Sequence, residues 1–233
     1  MIILLKKELS YYLNNAVGYI VIILFAVFAN FLFMRDAFVT GSVSMRSFFN
    51  LIPWLFLIFI PAVVMRSLSE EKRLNTVEIL LTLPISETQI ILSKFITHLI
   101  LLFFSLFLTM LIPASFTILS GFYIPEIVIG YAGCLIMGAS FISISLFFSS
   151  QTKNQIISFL LSSLGLFLLI GISSELFSSF LPKSMQDILI FLGPINHFQN
   201  FIKGIIDLRS VFYFTSISIV FIFLTIVQLE KRD

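Results

Sequence analysis

The sequence predicts an all-α polytopic membrane protein: six transmembrane helices, both termini cytoplasmic, an amphipathic N-terminal helix and a cytoplasmic coupling helix. Three observations carry that prediction. Hydrophobic residues make up 59% of the 233 residues and charged residues only 11%, whereas a soluble domain carries charge at about a quarter of positions. Six apolar segments, 16–34, 48–65, 96–119, 127–148, 156–172 and 211–229, reach or approach the roughly 20 residues a helix needs to cross a bilayer. The basic residues set the orientation. With the N-terminus inside, the inner parts hold Lys6, Lys7, Arg66, Lys72, Arg73, Lys94, Lys153, Lys231 and Arg232, and the outer parts only Arg35, Arg46, Lys183, Lys203 and Arg209. The short loop 120–126 has no basic residue, in agreement.

Residues 1–13 read as a helix ahead of the first span. Ile2, Leu5, Leu9, Tyr12 and Leu13 fall near one face, and Lys6, Lys7, Glu8 and Ser10 face away. Two readings stand: a helix lying in the membrane interface, or a charged orientation anchor. The apolar run that follows is too long for a cleaved signal peptide and shows no small-residue cleavage site.

None of the six spans contains Asp, Glu, Lys or Arg. Intramembrane charges mark ion and proton paths, so this absence counts against a proton-coupled carrier and against a channel lined by charged rings. His98, near the inner end of span three, reads as a neutral packing residue rather than a relay. Pro53, Pro61 and Pro113 in spans two and three are candidate kinks. Gly130, Cys134 and Gly138 recur at intervals of four in span four, which lets helices approach closely; packing within the chain is favoured over a dimer face. The fifth span is short and extends towards Phe180. The outer loop 173–210 holds apolar pieces too short to cross, broken by Pro182, Gly193–Pro194 and Gly204, and reads as short helices on or in the outer leaflet.

The remaining chemistry is sparse. Net charge is +2 and no basic cluster with interleaved aromatics appears, so nucleic acid is not an expected partner. Cys134 is the single cysteine and reads as a small buried hydrophobe. No G-x-x-x-x-G-K-[ST] loop, H-E-x-x-H, G-x-S-x-G or Cys/His metal spacing is present. The chain is therefore not expected to be an enzyme, and no cofactor or metal is expected in it.

The long charged interruption is Arg66 to Lys94. Asn75 with Glu78 makes a capping-box-like pair, and Ser86 with Gln89 makes a second. Thr76 to Leu83 reads as a short helix stopped before Pro84. From Ser86 the next helix can run through Ile90, Ile91 and Lys94 into span three. The predicted product is a short helix joined rigidly to a span, presented to the cytoplasm beside Glu70, Glu71, Lys72 and Arg73.

This loop resembles the signature of ABC-2-type transporter permeases, E-E-x-R-x-G-T-x-E-x-L-x-x-x-P followed by a basic residue. It matches at Glu70, Glu71, Arg73, Thr76, Glu78, Leu80, Leu81, Pro84 and Lys94. Asn75 stands where the family usually has Gly, and Asn tolerates positive φ. Gly193 to Gly204 (GPINHFQNFIKG) with Asp207 resembles the outer segment of the gliding-motility-associated permease subgroup.

The resemblance implies a permease subunit of an ABC exporter in the bacterial inner membrane. It implies cytosolic ABC ATPase subunits that hold ATP and Mg, and a second permease subunit, identical or related, with membrane lipid around both. It assigns Glu70, Glu71, Arg73, Asn75, Thr76, Glu78 and Pro84 to an ATPase-coupling loop. Pro194, His197, Phe198, Phe201, Gly204 and Asp207 form the outer motif; for the aromatic members, anchoring at the interface is favoured over lining an exit. The competing readings are a non-transporting scaffold of an envelope or motility complex, and a self-contained six-helix channel.

Overall fold

The computed structural model describes residues 1–40, 45–76, 85–112, 115, 124–171 and 192–230. No strand occurs among the described residues. The helices, in chain order, are α1 (Ile2–Leu13), α2 (Ala16–Thr40), α3 (Met45–Val64), α4 (Arg66–Arg73), α5 (Glu87–Thr109), α6 (Ile124–Gln151), α7 (Gln155–Gly171), α8 (Pro194–Ile202) and α9 (Leu208–Glu230). Among the described residues, five stretches are long and apolar enough to cross a membrane: Gly18–Val39, Met45–Arg73 (α3 running on into α4), Glu87–Thr109, Ile124–Gln151 and Leu208–Glu230. The 17-residue α7 is shorter. Its extension towards Phe180 lies outside the described residues, as do Pro113, Lys183 and most of the loop 173–210.

Local chemistry accounts for several boundaries. Ser86 is extended, and its Oγ accepts from the Gln89 N–H at 3.3 Å, one half of the predicted box. From that cap one helix runs through Lys94 to Thr109, as expected. At α8, Gly193 is the N-cap and Pro194, with no N–H to satisfy, opens the first turn. The helix stops where Gly204 takes φ 75°. There the Gly204 N–H bonds the Phe201 carbonyl and the Ile205 N–H bonds that of Asn200, the paired closure of a left-handed helix end. Other boundaries moved outward: α2 runs to Thr40 rather than 34, and α6 begins at Ile124, inside the stretch read as a loop.

The long helix α6 is the hub, packing against α3, α4, α5, α7, α8 and α9. Lipid tails are as apolar as Leu, so cohesion here comes from close fit rather than from expelling water. Glycines make the notches. A Cβ at Gly130 would run into the Phe49 ring, at Gly133 into Phe201, and at Gly138 into Leu102. Gly130, Cys134 and Gly138 thus pack within the chain. Pro53 and Pro61 both sit inside α3 without ending it. Rings fill the centre: Phe48 and Phe49 lie edge-on 5.4 Å apart, and Phe49 meets Tyr131 edge-on at 5.3 Å, an arrangement the ring quadrupole favours.

The packing defines two ends. Leu68 of α4, Ile91 of α5 and Leu229 of α9 share one cluster. At the opposite end of α3 and α6, Arg46 pairs with Glu126 at 3.0 Å, and α8 packs onto α6, α9 and α3.

Candidate functional site

At the α4 end lies a buried charge cluster. Lys94, on the first turns of α5, is only 1% exposed. An ammonium has three protons to place, and here each has an acceptor. Nζ donates to Glu71 Oε1 at 2.8 Å, to the Ser67 carbonyl at 3.0 Å and to Glu8 Oε1 at 3.1 Å. One cation thereby ties together α1, α4 and α5.

The charges do not balance locally, because one ammonium faces two carboxylates. The second Glu71 oxygen and the Arg66 Nε are buried without a hydrogen-bond partner among the described residues.

One turn further along α1, Tyr12 is buried and its hydroxyl lies 3.2 Å from the Val63 carbonyl and 3.0 Å from His98 Nε2. His98 Nδ1 lies 2.6 Å from the Lys94 carbonyl. A carbonyl only accepts, so Nδ1 carries the proton; in the neutral ring Nε2 is then an acceptor, sharing the single Tyr12 hydroxyl proton with the Val63 carbonyl. Burial also holds the Tyr12 hydroxyl far above its ordinary value, so it stays a donor. His98 is therefore a packing residue with both nitrogens occupied.

The turn after α4 explains the signature residues around it. Asn75 takes φ 55°, and its N–H bonds the Lys72 carbonyl at 3.3 Å. That is a left-handed helix stop, the conformation Gly supplies without strain. Asn75 thus closes α4; its predicted box with Glu78 falls outside the described residues. Thr76 adds a second closure: its hydroxyl donates to the Glu71 carbonyl at 3.2 Å. Arg73 is exposed and meets Glu70 at 3.5 Å, a surface pair worth about 0–1 kcal/mol. Glu70 also accepts from the Tyr11 hydroxyl of α1 at 3.2 Å. Glu78 and Pro84, together with Leu80 and Leu81, lie outside the described residues.

A family model, described as ABC-2 family transporter protein, matches residues 3–229. The chain belongs to the ABC-2 transporter family. Membership makes it a multi-pass permease subunit of the ABC transporter kind, one that works in general with an ABC ATPase and a partner permease. A comparison with curated proteins gave no match.

In this ABC-2 protein the outer motif is a second, separate knot. Phe198 and Phe201 of α8 are fully buried, and His197 nearly so. The His197 ring stacks on Tyr213 at 4.2 Å, with Nδ1 3.3 Å from Ser210 Oγ. Asp207 caps α9: Oδ1 accepts from the Arg209 N–H at 2.9 Å, and Oδ2 accepts from Asn200 Nδ2 at 3.1 Å. The aromatics do anchor, but into the helix bundle rather than into the lipid interface.

Two features escaped the sequence reading. Glu8 was expected to face away from the packed side of α1, yet the buried stripe is Leu4, Glu8 and Tyr12. Helical spacing of four unites those three, and an acid on that stripe together with a lone lysine at the head of a span was the available signal. Ser149, near the end of α6, donates to the Met65 carbonyl and accepts from the Leu68 and Ser69 N–H groups, each at 3.2 Å. Nothing in its local sequence marks it out.

Proposed function

We propose that this ABC-2 family protein is the permease subunit of an exporter, moving its substrate across the bacterial inner membrane. ATP is hydrolysed, with Mg, in separate cytosolic ATPase subunits, and a second permease completes the path. The chain crosses six times, by the five long helices and α7, with both termini inside. The nine-to-five bias of basic residues supports that orientation. Placement in the gliding-motility-associated subgroup rests on the outer segment Gly193 to Asp207 alone.

The observation that carries the reading is the Lys94 tie. Glu71 sits on the helix that leads into the coupling loop, and its ion pair joins that helix to α1 and to a span. A push delivered to the loop is thus passed to two other elements without slack. Glu70 and Arg73 remain at the surface for a docked partner, while Glu71, Asn75 and Thr76 shape the loop. Glu78 and Pro84 complete the coupling segment in this proposal.

The test is a nanodisc pull-down of the protein from its native membrane, with bound proteins identified. Recovery of a P-loop ATPase, lost on Arg73→Glu in a protein that remains folded, is expected. A well-folded preparation that brings down no ATPase overturns the reading in favour of a scaffold or a self-contained channel.

A further inference from the structure

We propose that Ser149 is the pivot between α3 and α4, and that α6 carries movement of that pivot to the outer helix α8. The inference rests on the permease reading, since it takes the push on α4 to come from a docked ATPase.

The chain passes from α3 to α4 with Met65 between the two helices. Met65 keeps helical dihedrals (φ −51°, ψ −33°) and its N–H bonds the Pro61 carbonyl at 2.8 Å, so the joint is a local break in a continuing path, with amides in the first turn of α4 to be satisfied. Ser149 Oγ supplies their partner from a different helix. It accepts from the Leu68 and Ser69 N–H groups, both at 3.2 Å, and donates to the Met65 carbonyl at 3.2 Å. Ser69 Oγ also donates to that carbonyl. No side chain of α4's own N-cap residue contributes. One fully buried hydroxyl therefore stands at the joint and uses its proton and both lone pairs there. Serine is the smallest side chain that can do this, and alanine removes the acceptor of the Leu68 N–H, which as the third residue of α4 has no carbonyl within that helix.

The other end of the same helix holds α8. Helix α6 is unbroken over 28 residues, about 42 Å at the usual rise. Near its outer end Gly133 gives room for Phe201, so that α8 lies directly on the α6 backbone. Gly204, which closes α8 at φ 75°, rests against the Glu126 backbone. A rotation of α4 about Met65 must break the three Ser149 bonds or take α6 with it. Because α8 is seated on α6 through the Phe201 side chain at Gly133 and through Gly204 at the Glu126 backbone, it follows. The plain alternative is that Ser149 is a static cap whose influence ends at α4.

The experiment is amide hydrogen exchange on the full chain in nanodiscs, comparing the parent with Ser149→Ala and Ser149→Thr. Leu106→Val, in α5, serves as a control for general loosening. Ser149→Ala should speed exchange about tenfold at Leu68 and Ser69. It should also raise exchange at least threefold in α8, residues 194–202, above the Leu106→Val control. Ser149→Thr, which keeps the hydroxyl, should restore both. Faster exchange at 66–73 with α8 at the control level would reduce Ser149 to a cap and overturn the proposal. So would unchanged exchange at Leu68 and Ser69. Neither result touches the permease reading, because no ATPase is present; that reading falls only if the parent protein recovers none.

Discussion

Lys94→Met should be the most damaging single substitution at the α4 end of the bundle. The methionine fills about the same volume, so packing is nearly preserved and the change is electrostatic. What remains is a pair of carboxylates, Glu8 buried and Glu71 part-buried, that shared one ammonium at 3.1 and 2.8 Å. Removing one side of a buried ion pair costs about 3–5 kcal/mol, because the remaining charge stays desolvated. For a chain of this size each kcal/mol lowers Tm by about 2–4 °C, which gives a drop of roughly 6–20 °C. The order of the single variants follows from the charge count. Glu8→Gln or Glu71→Gln leaves one acid for one base, so each should cost clearly less than Lys94→Met. The triple variant Glu8→Gln/Glu71→Gln/Lys94→Met should recover most of the loss. Thermal melts in nanodiscs, followed by fluorescence of the single tryptophan, Trp54, measure all four. A Lys94→Met protein within about 1 kcal/mol of the parent, or losses that simply add in the triple, would refute the account.

Further outcomes are expected. Asn75→Gly should be neutral and Asn75→Val should cost about 1–2 kcal/mol by the same melts, since the position is left-handed. Gly133→Leu should loosen α8 by driving a side chain into Phe201, at a cost of about 1–3 kcal/mol, read as faster proteolysis near residues 192–204. Tyr12→Phe should cost about 1–3 kcal/mol, because His98 Nε2 loses its buried donor.

The helices were legible because apolar length is a one-dimensional property that survives without knowledge of neighbours. So was the run from Ser86 through Lys94 into α5, since a cap and an uninterrupted helical pattern are both local. The substitute for glycine at position 75 was legible for the same reason: φ preference belongs to the residue. What could not be read was which face of a short amphipathic helix turns inward. For α1 an apolar count selects Ile2 and Leu13, but Ile2 is 84% exposed while Glu8 is buried, because a lysine 86 residues away along the chain requires it. The anchoring of α8 was similarly hidden. An apolar stretch beside a membrane reads as lipid-bound, and only the notch at Gly133 shows that protein receives it. Ser149 carries no local mark, as its partners are backbone groups of a distant turn.

The separation between Glu8 and Lys94 also bears on how the protein is made. Synthesis delivers α1 first and Lys94 long afterwards, once two helices have already been threaded. Until α1 folds back, the Lys94 ammonium has the Glu71 carboxylate and the Ser67 carbonyl, and its third proton has no acceptor from α1. Closure of α1 over Lys94 is then a late step of assembly, and removing the first 13 residues should leave that step undone. A chain lacking them, followed by pulse–chase in membranes, should be inserted and then degraded faster than the full-length protein, and equal lifetimes would remove that step from the account.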